Sequence, residues 1–156
     1  MVIFINTLQA SLISFNVQIY GIGIRIISTK GKEQEAAKRE LSDCLKVWEP
    51  ELGDRPFFGG ETLGTLGLVD IALIPFYSWF YGYEQCSGFS IKTQCRELIA
   101  WAKICSQKGT VSRSLANRKK VSGFMLELKK RFGSIGSKRT EDVSRMLVCI
   151  SIFDVS

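Results

Sequence analysis

The chain has 156 residues, a net charge of +6 and 46% hydrophobic side chains, which suits one globular domain with a sizeable core. It contains no histidine, and that removes histidine general bases, Ser-His-Asp and Cys-His nucleophile pairs and histidine metal sites together. The five cysteines, Cys44, Cys86, Cys95, Cys105 and Cys149, are odd in number, widely spaced and form no C-x-x-C pair. They argue against a zinc site or a disulfide framework and for free thiols in a reducing compartment.

Met1 to Ile24 carries no charged side chain. It lacks the basic start and the small-residue cleavage site of a secretory signal, and Asn6, Gln9, Asn16 and Gln18 interrupt it as a membrane span. Phe15, Val17 and Ile19, then Ile22, Ile24 and Ile26, alternate as in a strand, and their β-branched character favours one locally. Gly31 separates this segment from an amphipathic helix. There Ala37, Leu41, Cys44, Leu45, Trp48 and Leu52 recur at helical spacing, with Lys32, Glu33, Glu35, Lys38 and Arg39 mostly opposite. Pro50 is expected to end or kink that helix near Glu49. Gly53-Asp54-Arg55-Pro56 and Gly59-Gly60 are turn chemistry.

The run from Leu68 to Tyr81 has Asp70 as its only charge, with apolar side chains in every helical direction. Such a helix is expected to be buried all round, and it is too short to cross a bilayer. With Gly67 as N-cap, Asp70 falls at the third helical position, where its carboxylate can accept the cap residue's own N–H. Leu66 and Ile71 then occupy the two positions of a hydrophobic staple. On this reading Asp70 is a structural cap, and Asp70→Asn is milder than Asp70→Ala because the amide oxygen still accepts. Pro75 removes one backbone hydrogen bond and predicts a bend.

After Ser87-Gly88 a further helix is expected, with Cys95, Leu98, Ile99, Ala102 and Cys105 inward and Arg96, Glu97 and Lys103 outward. Cys44, Cys95 and Cys105 thus read as small buried hydrophobes. Lys108-Gly109 stops this helix, and a short one follows around Val111 to Leu115. The last places Val121, Phe124, Leu128 and Phe132 on one face. Basic residues concentrate late, among them Arg118, Lys119, Lys120, Lys129, Lys130 and Arg131. No aromatic platform interleaves with them, so they read as a solvated face and not a nucleic-acid surface. Ser134 to Asp142 is polar and small, and Met146 to Phe153 is a compact apolar run.

Several of these motifs, taken in order, resemble the all-helical C-terminal domain of plant tau-class glutathione transferases. They are Phe57-Phe58-Gly59-Gly60-Glu61-Thr62-Leu63, the Leu68-Val69-Asp70-Ile71-Ala72-Leu73 helix start and Tyr77-Ser78-Trp79-Phe80. Ile99-Ala100-Trp101-Ala102-Lys103 and Leu126-Glu127-Leu128-Lys129-Lys130-Arg131-Phe132 continue the match. It runs from about Tyr20 to Gly133 and divides the chain into an unassigned segment 1–16, a helical domain 17–133 and an unassigned tail 134–156. Thr62-Leu63-Gly64 repeats as Thr65-Leu66-Gly67, where the family has one such triplet, which marks a three-residue insertion.

The resemblance implies an all-α helical bundle in which Tyr20 to Thr29 ends the first long helix, and that expectation overrides the local strand pattern. It implies a cytoplasmic protein of detoxification and stress response, descended from enzymes that conjugate glutathione to electrophilic apolar compounds. Tyr20, Trp79, Phe124, Leu128 and Arg131 match family positions that face the acceptor pocket, while for Trp79 and Phe124 plain core packing is an equal alternative. Two others, usually basic and tryptophan, are Ile24 and Ile27 here, which implies a more apolar pocket. In the family, glutathione and the activating hydroxyl belong to a preceding thioredoxin-like domain. Nothing before Tyr20 resembles it, and so short a segment falls below the about 30 residues of a βαβ unit. The expectation is therefore a chain with no catalytic residue, no cofactor or metal and no glutathione site of its own. Its expected partners are a small apolar ligand and a second chain, in a homodimer or a heterodimer with a full-length transferase; no nucleic acid and no membrane are expected. One alternative is a non-enzymatic binder of apolar ligands or partner of a full-length transferase; the other is a nucleic-acid or membrane-surface module using the basic face.

Overall fold

The computed structural model describes residues 2–59 and 65–134, and among them every regular element is a helix. The long first helix α1 (Val2–Ser28) is followed by α2 (Gly31–Lys46) and the short α3 (Trp48–Leu52). After the loop come α4 (Leu68–Leu73) and α5 (Phe76–Ser87), then α6 (Ile91–Gln94), α7 (Arg96–Ser106), α8 (Gly109–Ser114) and α9 (Arg118–Ser134). The proposed insertion at Thr62-Leu63-Gly64 and the apolar run Met146 to Phe153 lie outside the described residues.

The alternating isoleucines of the first segment lie on a helix. Ile22, Ile24, Ile26 and Ile27 are all buried, because α2, α5 and α9 pack around this part of α1. Burial on several sides produces an apolar pattern that local inspection reads as strand alternation, and packing overrides β propensity. α1 also runs back through residues 2–16 without a break.

In α2, Ala37, Leu41 and Leu45 are buried against the core, and Lys32, Glu33, Glu35 and Arg39 face solvent. The helix ends at Lys46, earlier than expected, and Pro50 sits in the first turn of α3. A missing N–H costs nothing there, since the first-turn donors of a helix have no partner within it.

The central apolar run also differs in detail. Ile74 and Pro75 keep right-handed helical dihedrals, so α4 bends into α5, and α5 continues to Ser87, where Gly88 ends it in the left-handed region at φ 68°. Burial is nearly complete from Phe76 to Phe80 but not in α4, where Leu68 is 51% exposed and Ile71 61%. The expectation of burial all round therefore fails at α4. The staple fails with it, because Leu66 packs on the core while Ile71 points to water.

Three helix starts are held by carboxylates. Asp70 serves α4, whereas Glu84 of α5 accepts from Ile91 and Lys92 N–H at 2.7 and 3.4 Å and caps α6. Glu49 of α3 likewise accepts from Glu97 and Leu98 N–H at 3.0 and 3.3 Å and caps α7. Negative charge at a helix start meets unpaired N–H groups and the positive end of the dipole, so each carboxylate both orients and stabilises its neighbour. No described helix is long and apolar enough to cross a membrane.

Candidate functional site

Three helices position the residues that the sequence nominated. Tyr20 lies on α1, Trp79 on α5, and Phe124, Leu128 and Arg131 on α9, which runs along α5 and also touches α1. The Tyr20 ring stands edge-on to Trp79, with centroids 6.0 Å apart and planes at 88°, and leans on Phe76 at 5.1 Å. Edge-to-face geometry sets the positive rim of one ring against the negative face of the other and fixes both orientations. Trp79 is 5% exposed and Leu128 7%, while Tyr20 and Phe124 are half-buried against the core. Arg131 is exposed, its Nε 3.4 Å from Glu127 on the same helix.

The structure therefore brings Tyr20 and Trp79 into one aromatic cluster. Phe124 and Leu128 lie on the neighbouring helix, and Arg131 remains at the surface. Sequence reasoning missed Phe76, the third ring of the cluster. Its signal was its place three residues before Trp79 in one helix, which puts both side chains on one face. Ile24 and Ile27, where the family usually has a basic residue and a tryptophan, are each 2% exposed and belong to the core.

Beside this cluster Tyr83 is fully buried, and burial pushes its phenol far above the ordinary tyrosine range, with Tyr20 and Cys86 adding to the shift. Its ring rests where Gly23 leaves room, since a Cβ on Gly23 would come within 2.0 Å of the Tyr83 hydroxyl oxygen. On the other side of α5, a Cβ on Gly82 would come within 2.0 Å of the Met125 sulfur. Two glycines thus set how closely α1 and α9 approach α5.

Asp70 ties the start of α4 to the preceding loop and to α7. Its Oδ2 accepts from the N–H groups of Gly67 at 2.8 Å and Gly59 at 3.4 Å, and its Oδ1 from Phe58 N–H at 2.9 Å and Trp101 Nε1 at 2.7 Å. The residue is 0% exposed. The cap to Gly67 was legible in the sequence; the ties to the preceding loop and to α7 were not. Because both oxygens are engaged, an asparagine would turn an NH2 group toward two donors, and the expectation of a mild Asp70→Asn is withdrawn.

Cys95 and Cys105 are buried as expected, whereas Cys44, also expected to be buried, is only half-buried. Burial, helped by Glu49, pushes Cys95 up to about 11, and burial, helped by Asp70, pushes Cys105 up to about 12. Cys86 is raised mainly by burial, and half-buried Cys44 by burial, Glu40 and Asp43.

Residues 32–103 match the family described as "Glutathione S-transferase, C-terminal domain". The all-helical fold is that of a glutathione S-transferase C-terminal domain. The domain is similar to probable glutathione S-transferase parC of Nicotiana tabacum, 50% identical over 116 residues that cover 74% of this chain and 51% of that protein. Against glutathione S-transferase U21 of Arabidopsis thaliana the identity is 44% over 124 residues, covering 80% of this chain and 54% of the relative. Among solved structures it is similar to rice GST1 (OsGSTU1) in complex with glutathione. That likeness has a TM-score of 0.69 and 42% identity, and covers 79% of this chain and 56% of that one. The chain thus spans about half the length of the curated relatives it matches, which are plant transferases, the tau class among them.

Proposed function

We propose that this transferase C-terminal domain is the acceptor-binding half of a glutathione-conjugating fold, and that its ligand is an electrophilic apolar compound of the kind removed in detoxification. The observation that carries the reading is the Tyr20–Phe76–Trp79 cluster, set between α1 and α5 and flanked by α9 in a domain of this family. Apolar rings with one hydroxyl suit a flat, poorly soluble electrophile, which gains from burial and is oriented by the rings. In this reading glutathione is the co-substrate and no cofactor or metal takes part. The protein works in the cytoplasm, as a homodimer or paired with a full-length transferase.

The present residues contribute acceptor binding, and conjugation needs a glutathione site outside them. Purified 156-residue chain is expected to bind a chlorinated nitroaromatic saturably, quenching its tryptophan fluorescence, with no conjugation of glutathione above the uncatalysed rate. Trp79→Ala and Phe124→Ala should weaken that binding. Protein-dependent turnover would overturn the division of labour, and lack of binding would overturn the pocket.

A further inference from the structure

Next to that cluster, an open groove of about 990 Å³ runs between α1 and α2. Its floor is aromatic. Phe15 and Trp48 meet edge-on at 5.1 Å and 71°, and each is braced from behind, Phe15 by Phe76 at 6.3 Å and Trp48 by Phe58 at 5.7 Å. Such rings offer a flat ligand apolar contact with few side-chain rotations to freeze.

The rim of the groove carries charge of both signs. Glu40 is occupied by Arg25 at 2.5 Å, and Lys38 by Glu35 at 2.6 Å. Asp43 is exposed and has no hydrogen bond or ion pair among the described residues. Arg39 meets only the backbone oxygen of Glu35, through Nε at 3.4 Å, which leaves the outer edge of its guanidinium open. Arg39 and Asp43 are one helical turn apart, at a spacing where opposite charges commonly pair. Here they do not, so an acceptor and a donor stand side by side above an aromatic floor.

We propose that this groove is a second ligand site and that its ligand is an aromatic compound bearing an α-amino-acid head. The ring lies against Trp48 and Phe15, the ammonium meets Asp43, and the carboxylate meets Arg39. A purely apolar ligand leaves both charges unused, and a simple amine or acid uses one. The zwitterion satisfies both, and the choice follows from charge complementarity.

Cys44 lines the groove and provides the readout, because Cys86, Cys95 and Cys105 are buried and peptide mass separates it from Cys149. The experiment follows alkylation of Cys44 by iodoacetamide, located by peptide mass, in the full chain titrated with L-tryptophan. Saturable protection of Cys44 is expected. Tryptamine, which lacks the carboxylate, and indole-3-propionate, which lacks the ammonium, should each protect about fivefold less well, in line with one exposed ionic contact. Asp43→Asn and Arg39→Gln should each produce a similar loss, whereas Phe124→Ala should produce none, which separates this site from the proposed acceptor pocket. Equal protection by all three compounds would overturn the proposal, as would protection indifferent to Asp43→Asn. Protection that rises with protein concentration without any ligand would show that a second copy of the chain covers the groove, and would equally overturn it.

Discussion

Asp70 shows how one side chain can have a local and a distant role. Read from the sequence it closes a helix start; in the structure it also receives the Phe58 backbone and the indole of Trp101, at 2.9 and 2.7 Å, with no exposed surface. Removing it strands several buried donors, each carrying a desolvation cost of about 1–3 kcal/mol. Asp70→Ala is expected to lower the unfolding free energy by at least about 3 kcal/mol, more than the roughly 1 kcal/mol of a simple cap. Asp70→Asn should cost nearly as much, because each oxygen already serves two donors. Denaturant titration of both variants checks this; an Asn variant close to the parent would mean that only the Gly67 cap matters.

At the scale of the elements, α1 and α9 both pack against α5, and glycines set the spacing. A methyl group on Gly23 would overlap the Tyr83 ring, whose position is fixed by complete burial; one on Gly82 would overlap the Met125 thioether. A ring cannot yield without moving a helix, whereas an unbranched methionine can change rotamer. Gly23→Ala is therefore expected to cost about 3 kcal/mol or more, and Gly82→Ala about 1–3 kcal/mol, within the usual range for overpacking. Met125→Ala should partly rescue Gly82→Ala in a double-mutant cycle. Equal costs at the two glycines would show that the α1–α5 contact is as compliant as the α5–α9 contact. The carboxylate caps work at this scale too. Glu84 and Glu49 tie α6 and α7 to helices earlier in the chain, so these short helices depend on their neighbours.

For the whole molecule, the buried thiols make stability depend on alkaline pH. The ordinary thiol value is 9.0, and in the folded chain Cys95 and Cys105 are pushed to about 11 and about 12. Above pH 9.0 the unfolded chain releases these protons while the folded chain keeps them, so the folded state binds more protons and loses stability as pH rises. The contribution is complete below pH 9.0 and is lost as pH climbs through about 11 to about 12. Denaturant midpoints measured across that range should fall, and Cys105→Ala should flatten the fall. A midpoint independent of pH would mean that these thiols ionise as freely folded as unfolded.

The sequence alone determined what depends on a few neighbouring residues. The spacing of apolar positions gave the inward face of α7, with Cys95, Leu98, Ile99, Ala102 and Cys105 all buried. Gly67 and Asp70 gave the start of α4, and Pro75 gave the bend between α4 and α5. Backbone dihedrals, capping and periodicity act within one or two helical turns, so they can be read along the chain. Only the tertiary structure decided matters that join distant residues. The isoleucines of α1 are helical because three other helices enclose them, against their own β preference. Tyr20 was nominated from family motifs, yet its pairing with Phe76 and Trp79 joins α1 to α5. The unpaired Arg39 and Asp43 above the rings of Phe15 and Trp48 form a site only once α1 lies against α2 and α3. Such contacts arise from the packing of whole helices, and the spacing of residues along the chain does not specify which faces will meet.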